Sequence, residues 1–397
     1  MKPSRRQQTP SPNAATLDRT VVAVDARPLI TRGNGVSRLV IELVSALRDL
    51  GSVDLILVSH RPLHRDHDLA GLRVVVDRGW HRVPGTLWYM ARMNALARRH
   101  GAHVVWGTAH VLPFRRDGLR YVVSLHDLVH LMMPASMQIA NLVLSRFLVG
   151  RSLVAADAVA TLSQTTRSDL LSRLPVDPNR VVTILPGVSA FAEAEDPAVQ
   201  PAWLPAQFLF ALGSLEPRKN IDGLLRCFVQ LSHLRPDLVL VITGAHQWKS
   251  QRVLKLLEEP ALKGRVIRTG YLSDADIARN FAKTQAFIMS SHYEGFGLPV
   301  LEAAGHCPIV LSAVPVFNEL ATYVAGVKLV NFHDPATAAW EIDGFLASQP
   351  AQARVRSEWE QELNWTRAAQ QYVDLFKSVL TNEHAQSAET NHVRHPA

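Results

Sequence analysis

Short runs of apolar and β-branched residues alternate along the chain with longer segments whose apolar residues recur every three or four positions. The short runs predict strands and the longer segments predict helices, because these spacings match the side-chain periods of the two structures. Predicted strands lie at 21–25, 53–59, 72–77, 103–106, 121–125, 158–162, 181–185, 208–212, 238–243, 265–269, 286–290, 308–311 and 328–331. Predicted helices lie at 36–49, 86–99, 138–155, 165–174, 221–234, 250–259, 274–282, 298–306 and 335–347. Apolar strands separated by helices are typical of an α/β fold with a parallel sheet covered on both faces.

The alternation runs twice, with a break at the acidic, Pro-bearing stretch AFAEAEDPAVQPAWLP. A chain of 397 residues also exceeds one ordinary core, so we expect two doubly wound, Rossmann-like domains facing across a cleft. The expected order is a disordered tail (1–19), an N-terminal domain (20–190), a linker (191–205), a C-terminal domain (206–363), a helix packing back on the first domain (364–380) and a second disordered tail (381–397). Ligands of such sheets bind at the carboxyl ends of the strands.

Charge and cysteine content narrow the possible functions. Residues 1–200 hold 24 Lys and Arg against 16 Asp and Glu, which is compatible with an anionic membrane, a phosphate-bearing ligand or a solvated Arg-rich surface. We expect no nucleic acid partner. Two cysteines make a disulfide framework untenable. No apolar stretch predicts a transmembrane helix or a secretory signal, so we expect a cytoplasmic protein.

The strongest motif is YEGFGLPVLEAAG, Tyr293–Gly305. It follows a predicted strand, and the next helix is predicted to begin near Leu298, so Glu294 falls in the loop and Glu302 about one turn inside the helix. Glycine amides at a helix start approach phosphate or sugar oxygens closely, and carboxylates accept paired hydroxyls. The alternative is a Gly-rich connector with one capping glutamate.

A second motif is FLFALGSLEPRKN, in which a buried strand ends at Gly213. Arg218 and Lys219 then precede a helix whose N-cap is predicted to be Asn220. Two cations beside a helix N-terminus favour a diphosphate site, because a guanidinium fork, an ammonium and the helix dipole all attract the anion. A solvated basic turn is the alternative.

Two further segments of the first half end predicted strands. YVVSLHDLVH places His126 and Asp127 at a strand end, where a histidine binds a sugar or phosphate or has a structural role. VAVDARPLITRGNGVSR places Gly33 and Gly35 in a loop before a helix, but it lacks the glycine spacing of a dinucleotide fingerprint. The acidic triplet DHD at 66–68 is predicted to lie in a polar loop far from these motifs.

These segments, together with TLSQTTRSDL at 161–170, ILPGV at 184–188 and GYLSD at 270–274, resemble the retaining nucleotide-sugar glycosyltransferases of family 4, which have the GT-B fold. The likeness runs from about residue 21 to 376 and is greatest to mannosyltransferases of bacterial surface polysaccharides. It implies donor diphosphate binding by Arg218 and Lys219, ribose binding by Glu302, and contacts with the transferred sugar by Glu294 and His126. It further implies substrate contacts at Gly35, Asp127, Gly213, Gly270, Tyr271, Gly295, Phe296, Gly297 and Leu298. The resemblance implies catalysis without a metal or other cofactor.

The function expected from this resemblance is transfer of a hexose, with mannose from GDP-mannose favoured, to a glycan or lipid-linked acceptor. A nucleotide-sugar epimerase and a non-catalytic sugar-binding protein are the alternatives. We also expect peripheral attachment to the inner face of the membrane, with Arg92, Arg98 and Arg99 as basic contacts and Trp88 and Tyr89 as interfacial aromatics.

Overall fold

The computed structural model describes residues 19–31, 35–115, 118–189, 203–244 and 251–392, the side chains of 140 and 382–392 excepted. Most of the predicted linker, the first tail as far as residue 18 and Gly33 therefore lie outside the described residues. Within the described ranges the chain forms two parallel sheets, one in each half. The prediction of two doubly wound α/β domains is confirmed.

The first sheet contains seven strands in the order β3-β2-β1-β4-β5-β6-β7. They are β1 (Thr20–Asp25), β2 (Val53–Ser59), β3 (Arg73–Val76), β4 (Val104–Gly107), β5 (Arg120–Leu125), β6 (Ala158–Thr161) and β7 (Val181–Thr183). The accompanying helices are α1 (Gly35–Leu50), α2 (Gly85–Arg99), α3 (Val129–Met132), α4 (Ile139–Ala155) and α5 (Gln164–Arg173). The strand order reverses between β1 and β4, which opens a crevice at their carboxyl ends.

The second sheet contains six strands in the order β10-β9-β8-β11-β12-β14. They are β8 (Phe208–Leu212), β9 (Val239–Thr243), β10 (Val266–Gly270), β11 (Ala286–Met289), β12 (Ile309–Ser312) and β14 (Val327–Val330), while β13 (Val324–Ala325) and β15 (Arg354–Val355) form a separate pair. The helices are α6 (Ile221–Leu234), α7 (Gln251–Leu257), α8 (Asp274–Lys283), α9 (Leu298–Ala303), α10 (Pro315–Tyr323) and α11 (Pro335–Ala347). The order of this sheet reverses between β8 and β11.

The last helix, α12 (Trp365–His392), returns to the first domain and packs against α1. Tyr372 and Phe376 enter the N-terminal core beside Trp106, and the Tyr372 hydroxyl lies 2.7 Å from Ser124 Oγ. The residues of α12 that enter this core end at Leu380, within the segment 364–380 expected to pack back on the first domain, and the helical backbone continues to His392.

Two helices of the structure have no counterpart among the predicted elements: the one-turn α3 and the nine-residue α10. The four-residue α3 is too short to show a clear helical period. Among the described residues, none of the helices is sufficiently long and apolar to cross a bilayer.

Candidate active site

The reversal of strand order in the second sheet brings the two strongest motifs together. β8 and β11 are direct neighbours, with Phe210 paired to Phe287, so the segments that follow them lie side by side at the carboxyl edge. One segment carries Arg218 and Lys219, and the other carries Glu294.

Asn220 fastens these two segments to each other. Its backbone lies in the left-handed region with φ of 52°, and its side chain accepts a hydrogen bond from the Gly223 amide at 3.2 Å, which confirms it as the N-cap of α6. Its amide nitrogen also donates to the Ser290 carbonyl at 3.1 Å. The Ser290 hydroxyl donates in return to the Lys219 carbonyl at 2.9 Å. The positions of the cations are therefore set by the strand that precedes Glu294.

Glu294 is buried between both cations. Arg218 Nη1 donates to Oε2 at 2.6 Å and Lys219 Nζ donates to Oε1 at 2.6 Å. The Ser291 hydroxyl donates to Oε1 at 2.7 Å, and Arg218 also pairs with Glu216 at 2.8 Å. Burial alone raises the pKa of a carboxyl, but Lys219 and Arg218 outweigh it and hold the pKa of Glu294 at about 2. Glu294 therefore stays ionised between Arg218 and Lys219.

The backbone packs closely against neighbouring side chains around this cluster, and this requires glycine at two positions. The Lys219 side chain passes 3.2 Å from the place a Cβ of Gly213 would occupy. Gly297 has a φ of 104° and directly precedes the first residue of α9. A Cβ on Gly297 would lie 2.9 Å from the ring of Phe317. Leu298 and Pro299 then begin α9 as predicted. Phe296 is almost fully buried in the C-terminal core, so its side chain packs there and does not line the cleft.

Glu302 lies on α9 and faces the other domain. Its carboxylate pairs with Arg38 Nε of α1 at 3.1 Å. Burial raises the pKa of Glu302 to about 7, because Arg38 compensates only in part and the nearby Asp274 and Glu42 add negative charge. This glutamate therefore titrates near neutral pH, whereas Glu294 does not.

A cavity of about 460 Å³ between the domains is lined by His64, Asp66, Tyr271, Ser273 and Asp274. Asp274 lies 4.0 Å from Arg38, which also holds Glu302, so the cavity adjoins the Glu302 carboxylate. Tyr271 is 66% exposed and follows Gly270, which ends β10 with a φ of 71°. The prediction that the acidic triplet at 66–68 lies far from the other motifs is wrong, because folding places Asp66 opposite Asp274.

The facing edge of the N-terminal domain is built from neutral histidines. His126 follows β5, and its Nε2 lies 2.6 Å from the Thr108 carbonyl. Burial, together with the neighbouring His110 ring at 4.8 Å, lowers the pKa of His126 to about 3. The pKa of His130 is lowered by burial to about 4. Asp127 Oδ1 accepts a hydrogen bond from the Val129 amide at 3.1 Å and so supports the first turn of α3.

Gly295 brings the two edges into contact. A Cβ at this position would lie 1.6 Å from the carbonyl oxygen of His126, so only glycine allows this approach. The Gly295 carbonyl accepts hydrogen bonds from the hydroxyls of Ser163 at 2.7 Å and Thr166 at 2.9 Å. The Leu128 amide donates to the Tyr293 hydroxyl at 3.1 Å. The loop carrying Glu294 is therefore held by residues of the other domain.

Some of the α2 residues predicted to contact a membrane are buried, and Gly35 begins the helix that carries Arg38. Trp88 and Tyr89 are fully buried in the N-terminal core, so their prediction as interfacial aromatics is wrong. Arg92 is half-buried and pairs with Asp77 at 3.0 Å, while Arg98 and Arg99 lie exposed in the last turn of α2. Gly35 is the first residue of α1, with open space where a Cβ would be.

Sequence reasoning missed several residues that shape the site. Ser291 and Glu216 hold the charged cluster, and Arg38 holds Glu302 from 264 positions away. Arg38 is the last residue of the glycine-bearing segment 22–38, and its place in that segment is the sequence feature that could have indicated it. Among the described residues, no group of three or more His, Cys, Asp or Glu is placed to hold a metal ion.

Family models match both halves of the chain. Residues 33–190 match Glycosyltransferase Family 4, and residues 195–362 match Glycosyl transferases group 1. The O-antigen chain mannosyltransferase B of Escherichia coli is 28% identical over 56% of this chain, and the match spans 60% of that relative's length. The O-antigen chain mannosyltransferase RfbU of Salmonella typhimurium is 24% identical over 73% of this chain and 81% of its own.

Solved structures share the fold. Sucrose-phosphate synthase from Thermosynechococcus elongatus superposes with a TM-score of 0.63 over 94% of this chain and 100% of its own, at 17% identity. The twin parallel sheets and the motifs gathered between them agree with the two family models. The chain belongs to the glycosyltransferases with the GT-B fold, with a family 4 N-terminal domain and a group 1 C-terminal domain.

Proposed function

We propose that this chain transfers a mannosyl group from GDP-mannose, with retention, to a glycan or lipid-linked acceptor in the synthesis of a surface polysaccharide. The names of the two mannosyltransferase relatives support the sugar and the pathway class. One structural observation carries the proposal: Glu294, held by Arg218 and Lys219, is followed directly by Gly295 in contact with His126. A charged site suited to a diphosphate and an uncharged site suited to a sugar are thus joined by the peptide bond between Glu294 and Gly295.

The charged cluster suits a departing diphosphate. Arg218 and Lys219 are both pinned against Glu294, and a diphosphate bound here shares their donors. Glu294 then keeps the hydrogen bond from Ser291, which leaves its carboxylate beside the sugar. Cations that are already oriented stabilise the negative charge that develops on the leaving group, at no cost in reorganisation.

The neutral edge suits the sugar and its acceptor. The lowered pKa of His126 keeps its ring uncharged at neutral pH, so the ring does not compete with Arg218 for the diphosphate. In the proposed step the bond from the sugar C1 to the diphosphate oxygen breaks, and a bond from C1 to the acceptor hydroxyl oxygen forms on the same face. The acceptor proton passes to the departing diphosphate oxygen.

The cavity beside Glu302 favours a guanine base. Guanine presents two adjacent N–H donors, which pair with a carboxylate, whereas uracil presents one N–H flanked by carbonyl oxygens. The cavity wall offers carboxylates at Asp66 and Asp274, and Tyr271 offers an exposed ring for stacking. We therefore favour GDP over UDP in the donor.

We also propose that α4 docks on an anionic bilayer, in place of the buried aromatics predicted from the sequence. Ile139 is 80% exposed, and Val143 and Phe147 are each 63% exposed, at successive helical turns. Arg146 is exposed on the same helix, and the Arg151 guanidinium lies 4.6 Å from the ring of Phe114, itself 52% exposed. Apolar residues flanked by arginines match the acyl boundary and phosphates of anionic lipid.

Release of free nucleoside diphosphate tests the enzymatic proposal. Purified protein is given GDP-mannose, UDP-glucose or ADP-glucose, each with and without a polyprenyl-linked mannosyl acceptor. We expect GDP release from GDP-mannose that depends on acceptor, and its loss in Lys219→Ala. Conversion of the donor to its epimer without nucleoside diphosphate release would establish the epimerase alternative. Binding of GDP with no turnover of any donor would establish a non-catalytic protein.

Vesicle co-sedimentation tests the bilayer proposal. Wild type should bind vesicles containing phosphatidylglycerol and release as salt rises, while Val143→Glu and Phe147→Glu should not bind. Trp340→Glu is the matched control, because Trp340 is 72% exposed on α11 of the other domain. Equal binding by all variants, or binding indifferent to lipid charge, would refute docking through α4.

A further inference from the structure

One carboxylate outside the two catalytic motifs joins the domains. Glu319 lies on α10 of the C-terminal domain, and its carboxylate reaches the first turn of α5 in the N-terminal domain. Oε1 accepts a hydrogen bond from the Gln164 amide at 2.8 Å. Oε2 accepts from the Thr165 amide at 2.8 Å and from the Thr165 hydroxyl at 2.5 Å. Tyr323, one turn further along α10, donates its hydroxyl to Oε1 at 2.7 Å.

Four donors satisfy this carboxylate, and three belong to the other domain. The first amides of a helix have no partner inside the helix, and the helix dipole favours a negative charge there. Glu319 supplies both a hydrogen-bond acceptor for these amides and a negative charge at the start of the helix. Hydrogen bonds to a charged group at a half-buried position are about twice as strong as neutral ones. This contact is therefore a directed link between the domains.

The same turn of α5 holds the catalytic loop. Ser163 caps α5 through the Thr166 amide and donates its hydroxyl to the Gly295 carbonyl, as does Thr166. Gly295 directly follows Glu294. A movement of the first turn of α5 is therefore transmitted to the Glu294 backbone through two hydrogen bonds.

α10 also touches the loop from its other side. A Cβ on Gly297 would lie 2.9 Å from the Phe317 side chain and 3.1 Å from the Leu320 side chain, and both residues are on α10. The loop from Glu294 to Gly297 is consequently enclosed by α5 at Gly295 and by α10 at Gly297. Glu319 ties these two helices to each other and completes the enclosure.

We propose that Glu319 is a positioning residue for sugar transfer: by clasping α5 to α10 it sets where Glu294 lies relative to His126. This inference rests on the proposed transferase function. Arg218, Lys219 and Glu302 bind the donor without contacting this clasp, so its loss disturbs the alignment of the reacting groups more than donor affinity. A misplacement of about 1 Å at a reacting centre costs on the order of 100-fold in rate.

Steady-state kinetics of Glu319→Ala and Thr165→Val give the first test. Glu319→Ala should lower kcat roughly 10- to 100-fold with a donor KM within about threefold of wild type. Thr165→Val should lower kcat less, and the double variant should be no slower than Glu319→Ala, because both changes break one contact. Glu341→Ala removes a carboxylate on α11 that pairs only loosely with Lys328 at 3.6 Å, and it should match wild type. A lower melting temperature with unchanged kcat would mean a purely structural role and would overturn the proposal.

Interdomain distance gives a second readout that needs no turnover. Both native cysteines are buried, so spin labels at Ala95→Cys on α2 and Trp340→Cys on α11 report the separation of the domains. Glu319→Ala should broaden the distance distribution, and Glu341→Ala should not. An unchanged distribution in an active enzyme would refute the clasp alone. Broadening in a protein whose wild type transfers no sugar would refute the proposed function and leave the clasp standing.

Discussion

The two edges that meet in the cleft differ in their electrostatics. The C-terminal edge holds two cations, each 2.6 Å from an oxygen of the same carboxylate, whereas the N-terminal edge holds histidines whose pKa values burial lowers to about 3 and 4. Glu294 and His126 are buried to a similar degree, at 7% and 6% exposed. Burial keeps a charge only where an opposite charge compensates for desolvation, and it neutralises a group that lacks such a partner. One fold built twice thus yields a charged site and an uncharged one.

Separating the two edges should have the largest effect. In Gly295→Ala the added methyl lies 1.6 Å from the His126 carbonyl oxygen, so the edges must move apart. We expect loss of kcat by at least about 1,000-fold, since the reacting groups are displaced by more than 1 Å. Gly344→Ala on α11 meets nothing within 4 Å and should retain wild-type turnover. Normal turnover in Gly295→Ala would show that the contact between the edges is dispensable.

Discharging the C-terminal edge should have the next largest effect. Arg218→Ala removes one of the cations that face the leaving diphosphate, at an expected cost of about 2–4 kcal/mol in transition-state stabilisation. The measurement is kcat/KM for GDP-mannose. Arg226→Ala, which removes an exposed arginine paired with Asp222 on α6, is the control. Equal kcat/KM in Arg218→Ala and wild type would contradict the diphosphate role.

The two glutamates should separate in kinetics. Glu302→Gln acts at the ribose, whose contacts change little between ground and transition states, and should raise donor KM roughly tenfold. Glu294→Gln acts beside the transferred sugar and should mainly lower kcat. In a thermal-shift assay with GDP alone, the Glu302 variant should lose stabilisation and the Glu294 variant should keep most of it. Equal loss of GDP binding with normal kcat in both variants would remove this division of labour.

The last prediction concerns folding rather than turnover, namely the pH dependence of stability. Burial raises the pKa of Glu302 to about 7, so the folded chain keeps a proton that the unfolded chain releases near pH 4.5. Stability from this group therefore falls as pH rises from 4.5 to 7, by about 3 kcal/mol. The histidines whose pKa values are lowered change stability in the opposite direction below pH 6.5, and their contribution is the same in wild type and in Glu302→Gln. The measurement is therefore the difference in free energy of unfolding between these two proteins, from urea denaturation at pH 5–8. A difference that does not vary with pH would place the pKa of Glu302 outside this range.

The sequence alone predicts the strands of both sheets to within one or two residues, including 53–59 and 208–212 at their observed bounds. Buried parallel strands are locally apolar and flanked by turns, so their signal is contained in a short window. The motifs at Arg218 and Glu294 are also local, and the reversal of strand order in a doubly wound sheet places the strands before them, β8 and β11, side by side. The position of the loop that carries Glu294, between the two domains, depends instead on residues far away in the sequence.

Only the tertiary structure pairs Arg38 with Glu302, Asp66 with Asp274 across the cavity, and Glu319 with the first turn of α5. Each pair joins residues more than 150 positions apart, and the helix that carries Glu319 is not among the elements that the sequence predicts. The sequence by itself therefore determined the two domains and the chemistry at each strand end, because those depend on neighbours along the chain. The tertiary structure decided which charges remain, which histidines are neutral and how the two edges meet, because desolvation and long-range pairing exist only in the folded molecule.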